Sequence, residues 1–133
     1  MLFNVSVDIV PSINTWKQLI QYFIQKSDKI VIQSWNYENE IRKKIKPYNF
    51  DHKTIGNITL SSINLTSDLI NDILILINES TTIEYFSIFL SRKEKTFFYA
   101  EHYGKEYHIL DINNEDLEFI KSIIPTHHLN IEK

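Results

Sequence analysis

The chain contains no cysteine. That excludes a disulfide framework, thiolate catalysis, thiolate-bound zinc and iron–sulfur clusters. Glycine is almost as scarce, with only Gly56 and Gly104. A dinucleotide-binding fingerprint needs three glycines and a phosphate-cradling loop needs two at fixed spacing, so both motifs are missing. No charge sign dominates: 14 Lys and Arg stand against 17 Asp and Glu, for a formal net charge of −3. Such a balance creates no general basic field toward nucleic acid or anionic membrane. Long apolar runs are also absent. The longest, such as Ile73 to Ile77, fall far short of the roughly 20 residues that span a bilayer. Met1 to Val10 alternates apolar and polar residues and carries no positive leader before an apolar run. A cytoplasmic protein with an unprocessed N-terminus is the expectation.

Apolar residues make up 43% of the 133 and charged residues 23%, the balance of one soluble globular domain. Isoleucine occurs 23 times, asparagine and lysine 12 times each, and alanine once. Those preferences follow AT-rich codons, so the asparagines need no chemical explanation.

Periodicity supplies the elements. Phe3, Val5, Val7 and Ile9 alternate with polar residues, which reads as a half-buried strand. Trp16, Leu19, Ile20, Phe23 and Ile24 form one stripe of an amphipathic helix, with Asn14 as its expected cap. Ile30 to Trp35 reads as a buried strand, and Glu38 to Lys46 as a surface helix that Pro47 stops. Ile58 and Leu60 fall out of phase with Ile63 and Leu65, which suggests a bulge at Ser61–Ser62. Thr66 or Ser67 caps a helix from Asp68 to about Asn78. Three strand-like segments follow, Ile83–Ser91, Thr96–Tyr103 and Glu106–Ile112. Asn113 or Asn114 then caps a last helix that ends at Pro125. The expected fold is α+β: a mixed or antiparallel sheet with a C-terminal three-stranded meander and about four helices packed on it. Residues 1–125 form the single domain, and 126–133 a loose tail.

Turn chemistry predicts a register. With Gly104–Lys105 as a two-residue loop and a turn centred on Lys93–Glu94, one face carries Phe86/Glu101/His108, Ile88/Tyr99/Leu110 and Leu90/Phe97/Ile112. That face is the expected core, and Trp16, Leu19, Phe23, Ile73, Ile88, Tyr99 and Leu110 are the expected core residues. The other face carries Tyr85/His102/Tyr107, Ser87/Ala100/Ile109 and Phe89/Phe98/Asp111. It is either covered by a helix or a recognition surface of aromatic anchors with a few polar groups.

No constellation for chemistry stands out. In this register His102 and His108 point to opposite faces, and adjacent His127 and His128 diverge, so no metal site and no cofactor are expected. Glu101 opposite His108 reads as a cross-strand charged pair or as an acid/base pair. No serine sits in a nucleophile elbow, and no catalytic residue is assigned. The basic run Arg42, Lys43, Lys44 and Lys46, with Lys53, reads as a solvated face. From Glu101 to Glu118 there are six acids and one base, Lys105. Part of that excess serves a helix N-terminus, and the rest suggests a basic partner.

Phe97-Phe-Tyr-Ala-Glu-His-Tyr-Gly-Lys-Glu-Tyr-His-Ile-Leu-Asp111, leading into Asn-Asn-Glu-Asp-Leu-Glu118, is an aromatic and acidic stretch. With the size, composition and α+β order, it resembles the small immunity proteins of bacterial polymorphic toxin and contact-dependent growth inhibition systems. The resemblance implies a non-catalytic protein that binds and neutralises a cognate toxin domain, basic and nuclease-type, with no direct nucleic-acid or membrane contact. The alternative is a general interaction or oligomer-forming adaptor domain, and next an enzyme without a recognisable motif. The expected partner-binding residues are Tyr85, His102, Tyr103, Tyr107, Asp111, Glu115, Asp116 and Glu118.

Overall fold

The computed structural model describes residues 1–133. Eight strands form one sheet: β1 (Phe3–Asp8), β2 (Lys29–Trp35), β3 (Asp51–Ile55), β4 (Ile58–Asn64), β5 (Ser87–Arg92), β6 (Lys95–Glu101), β7 (Glu106–Ile112) and β8 (Leu129–Glu132). Their spatial order is β3-β4-β2-β5-β6-β7-β1-β8, and every neighbouring pair is antiparallel. Four α-helices intervene: α1 (Ile13–Ile24), α2 (Asn39–Ile45), α3 (Ser67–Glu79) and α4 (Asn114–Ile123). The fold is therefore α+β and dominated by its sheet. No helix is long and apolar enough to cross a membrane.

Side chains cap three of these helices, two of them at the expected positions. Ser12, rather than Asn14, accepts from the Thr15 amide at the start of α1. Thr66 accepts from the Leu69 amide and starts α3. Asn113 and Asp116 form a reciprocal capping box on α4. The helices bury one stripe each. Trp16, Leu19, Ile20, Phe23 and Ile24 of α1 join Ile41 and Ile45 of α2, Ile73 and Ile77 of α3, and Leu117 and Ile120 of α4. All belong to one cluster with Val5, Val7, Ile30, Ile32, Ile88, Leu90, Phe98, Ala100, Tyr107 and Ile109, strand residues that share one face of the sheet. Residues of the opposite parity, including Val31, Trp35, Leu60, Phe89 and Tyr99, are half-buried and lie outside that cluster. The helices thus cover one face and leave the other open.

The expected faces of β6 and β7 are inverted. Lys93 and Glu94 do form the two-residue turn, both in the left-handed region at φ 50° and 65°. Arg92 then pairs with Lys95 and Ser91 with Thr96, but Leu90 pairs with Phe98. Phe97 is an extra, bulged residue, and a bulge of one turns over the rest of the strand. Phe97 stays buried beside Phe23, its ring 4.2 Å from the Arg92 guanidinium carbon. Beyond it Phe98 and Ala100 face the helices, while Tyr99 and Glu101 face outward.

The next turn spans four residues, not two. His102, Tyr103 and Gly104 all adopt positive φ (55°, 56° and 80°), and Glu101 pairs with Glu106. This shifts the register by two and keeps the parity, so β7 inverts together with β6. Tyr107 and Ile109 are consequently core, whereas Tyr99 and Leu110 are not. The φ of 80° favours glycine at position 104, and a Cβ there would also push aside the end of the Ile83 side chain, whose Cδ1 would lie at 2.6 Å.

Three other readings change. β4 is regular, pairing with β2 without interruption, so Ser61–Ser62 is not a bulge. Ile58 and Leu60 face the open side, and Ile63 packs against the core. β3 is an additional edge strand, exposed along its whole length. The C-terminal segment is not loose: 129–132 pair with β1 as the other edge strand, with Leu129 and Ile131 packed on the core.

Candidate functional site

The uncovered face is continuous across all eight strands. Backbone pairing sets Asp51, Ser62, Val31, Phe89, Tyr99, His108, Ser6 and Asn130 side by side. At about 4.8 Å per strand the row spans roughly 34 Å. A circular patch of the about 800 Å² that one partner contributes to a standard protein interface has nearly that diameter.

Two aromatic groups stand on this face. In the middle, the Phe89 and Tyr99 rings meet edge-on at 5.6 Å, and Tyr99 meets the His108 ring at 6.4 Å. At one corner Trp35 lies 5.1 Å from Phe86, and Phe86 packs edge-on against Tyr103 and His102 at 5.2 and 5.6 Å. Tyr37, exposed, extends this corner, its ring nearly parallel to Trp35 with centroids 6.5 Å apart. The Tyr103 hydroxyl donates to Glu38 at 2.8 Å. Partial burial first, and the Glu38 carboxylate next, push the Tyr103 phenol up to about 12.

Beside the aromatics runs an acidic row. Asp8 pairs with Glu106, and Glu106 with Glu101, on three adjacent strands. Like charges directly opposite on a sheet repel. No lysine or arginine forms an ion pair with any of the three; the only charged partner within reach is His102, whose Nδ1 lies 3.4 Å from Glu106. His108 is not opposite Glu101 but diagonal to it. Ligand atoms of Glu101, Glu106 and His108 nevertheless all fall within 4.8 Å of one another. The His108 Nδ1 and the Ser6 hydroxyl are hydrogen-bonded at 3.2 Å.

The expected partner-binding set divides. His102 and Tyr103 are at the aromatic corner of the open face. Tyr85, Tyr107 and Asp116 are buried and offer nothing to a partner. Tyr85 stacks on Trp16 at 5.6 Å, and burial with the nearby Glu84 charge pushes its phenol up to about 12. Tyr107 lies beneath the Gly104 turn, its hydroxyl without a hydrogen-bond partner and its ionisation strongly disfavoured by burial. Asp116 is a structural acid: it caps α4, accepts from the Tyr22 hydroxyl at 2.8 Å and sits 3.4 Å from Lys26. Glu115 and Glu118 are exposed on α4, on the helix side of the sheet. Asp111 pairs with Lys95 at a second bulge, where its φ is 54°. The structure therefore does not gather these eight residues on one surface.

The sequence pattern assigns Tyr99, Glu101 and His108 to the core face, puts Phe89 on the possible recognition face without naming it a binding residue, and gives Asp8 no part in a site. The signal for Asp8 was present: it is the acidic end of β1's alternation. For Tyr99 and Glu101 the signal was hidden by the bulge.

No protein-family model matches the chain, and neither a curated protein nor a solved structure matches it.

Proposed function

We propose that the chain is a non-catalytic, immunity-type inhibitor that docks a cationic protein, such as a nuclease-type toxin domain, onto the open face of its sheet. The observation that carries this reading is the acidic row Asp8–Glu106–Glu101, without lysine or arginine partners, beside a half-exposed band of aromatic side chains. Aromatic residues provide desolvated anchors, and unpaired carboxylates steer and hydrogen-bond lysine or arginine. A nuclease surface shaped to bind phosphates is basic, which is the complementary charge. The proposed site replaces the sequence-derived one: Tyr103 and His102 remain, joined by Trp35, Phe86, Phe89, Tyr99, Glu101, Glu106 and Asp8.

The test is co-expression with the product of the adjacent open reading frame, followed by binding kinetics with the purified pair. The expected results are relief of toxicity by the wild type, slower and less salt-sensitive association for Glu101→Lys, and faster dissociation for Tyr99→Ala. Folded variants that protect and bind as well as wild type would overturn the assignment of the face. A neighbour without toxicity, or toxicity that the wild type leaves unrelieved, would overturn the immunity reading.

A further inference from the structure

We infer that Glu101, Glu106 and His108 form a binding site for a divalent first-row metal cation on the open face of the sheet. The inference does not rest on the docking reading and is tested on the protein alone.

The three ligand atoms already converge, all within 4.8 Å of one another. Zinc binds nitrogen and oxygen ligands at about 2.0–2.2 Å, which sets ligand atoms about 3–4 Å apart. Small rotations of the two glutamate stems close that difference, while the strands beneath are fixed in register by backbone pairing. His108 is half-buried between Tyr99 and Ser6 on the neighbouring strands. A ligating imidazole characteristically donates its other N–H to an oxygen, and this holds the ring in place. In the tautomer whose Nδ1–H donates to the Ser6 hydroxyl, 3.2 Å away, Ser6 is that oxygen and the Nε2 lone pair is left for the cation.

The electrostatics point the same way. Glu101 and Glu106 face each other across β6 and β7, and Asp8 faces Glu106 from β1, without a lysine or arginine on any of them. A divalent cation neutralises this repulsion. The imidazole favours zinc, or nickel and ferrous ion, over magnesium, calcium and manganese, which prefer oxygen alone, and the absence of sulfur disfavours cuprous ion. Water, or His102 beside Glu106, completes the coordination.

Titration of untagged protein with ZnCl2 by calorimetry tests the site. His127 and His128, exposed with ring centroids 4.2 Å apart, border the same cleft of about 300 Å³ and are the competing zinc ligands. The double variant His127→Ala/His128→Ala is therefore measured alongside. The expected result is stoichiometric binding in wild type and in that double variant. Glu101→Gln, Glu106→Gln and His108→Ala should each bind much more weakly, and Ser6→Ala, which acts only through His108, about 10–100-fold more weakly. Circular dichroism verifies folding, and the two Glu→Gln variants, nearly isosteric, carry the test if His108→Ala fails to fold. Absence of binding in wild type, binding lost only in the double variant, or binding unchanged in Glu106→Gln and Glu101→Gln would overturn the inference. None of these outcomes depends on a protein partner.

Discussion

On the helix side of the sheet Phe98 is fully buried, its ring stacked on Phe23 at 5.3 Å. One residue further along the same strand, Tyr99 points the other way and stays half-exposed, with ring-edge contacts to Phe89 and His108. Both sides of β6 carry aromatic residues, so residue type does not distinguish them. What distinguishes them is the helices: α1, α3 and α4 bury their stripes against Phe98's side and none covers Tyr99's. The covered side pairs its buried polar groups, as at Ser34, which accepts from Arg42 at 2.8 Å, with the Tyr107 hydroxyl as the exception. The open side keeps three adjacent carboxylates without a lysine or arginine partner. A surface with no functional demand would gain stability by replacing one of them with lysine, since opposite charges across strands attract and like charges repel.

This contrast gives the largest expected effect. Phe98→Ala should destabilise the fold by about 3–5 kcal/mol, the cost of a large buried truncation. Tyr99→Ala, losing about half the burial, should cost about 1 kcal/mol. Denaturant unfolding of both variants measures the difference. Equal costs would mean that the outer face is covered after all.

The second effect concerns the tyrosines on the helix side. Tyr22, Tyr85 and Tyr107 there, and Tyr103 at the edge of the open face, ionise above the ordinary value of 10.0. Tyr22 is pushed up to about 12, by burial first and by Asp116 next. Below pH 10 these phenols are protonated in both the folded and the unfolded chain, so they add no pH dependence. Between about pH 10 and 12 the unfolded chain loses protons that the folded chain keeps, and stability falls as pH rises. Phenolate absorbance and circular dichroism, followed together, should show part of the seven tyrosines ionising only as the fold is lost. All seven titrating together near pH 10 with the fold intact would contradict the burial assigned to that side.

Much of the architecture was legible from local chemistry. The helix stripes, the caps at Thr66 and Asn113 and the Lys93–Glu94 turn follow from spacing and side-chain type, and each is satisfied within a few residues. The faces of β6 and β7 were not legible, because one residue decided them. Phe97 and Phe98 are identical in type, so the sequence does not mark which is the bulge; packing of both rings near Phe23 decides it. The Gly104 turn misled for a related reason. Glycine signals positive φ, but here His102 and Tyr103 adopt it as well, and the loop lengthens to four residues. The site inherited both errors. Tyr107 and Ala100 were placed outward and proved to be core, while Glu101 and His108 were placed inward and form the acidic cluster. β8 escaped notice because its alternation covers only four residues.

The smallest expected effect tests that single bulge directly. Leu110 occupies a core position in the register without the bulge and an outward one with it. As a core leucine its truncation to alanine would cost about 2–5 kcal/mol. In the structure it is half-buried, and Ile109 and Ile112 supply the buried positions of β7 on either side. Leu110→Ala then loses only part of one side chain's burial and leaves no enclosed cavity, so the cost should be about 1 kcal/mol or less. Ile109→Ala is the internal standard, one residue away on the same strand and fully buried. Unfolding curves for the two variants should separate clearly, with Ile109→Ala the less stable. A reversed order would restore the unbulged register, put Glu101 and His108 back beneath the helices, and remove the acidic face on which both the docking and the metal proposals stand.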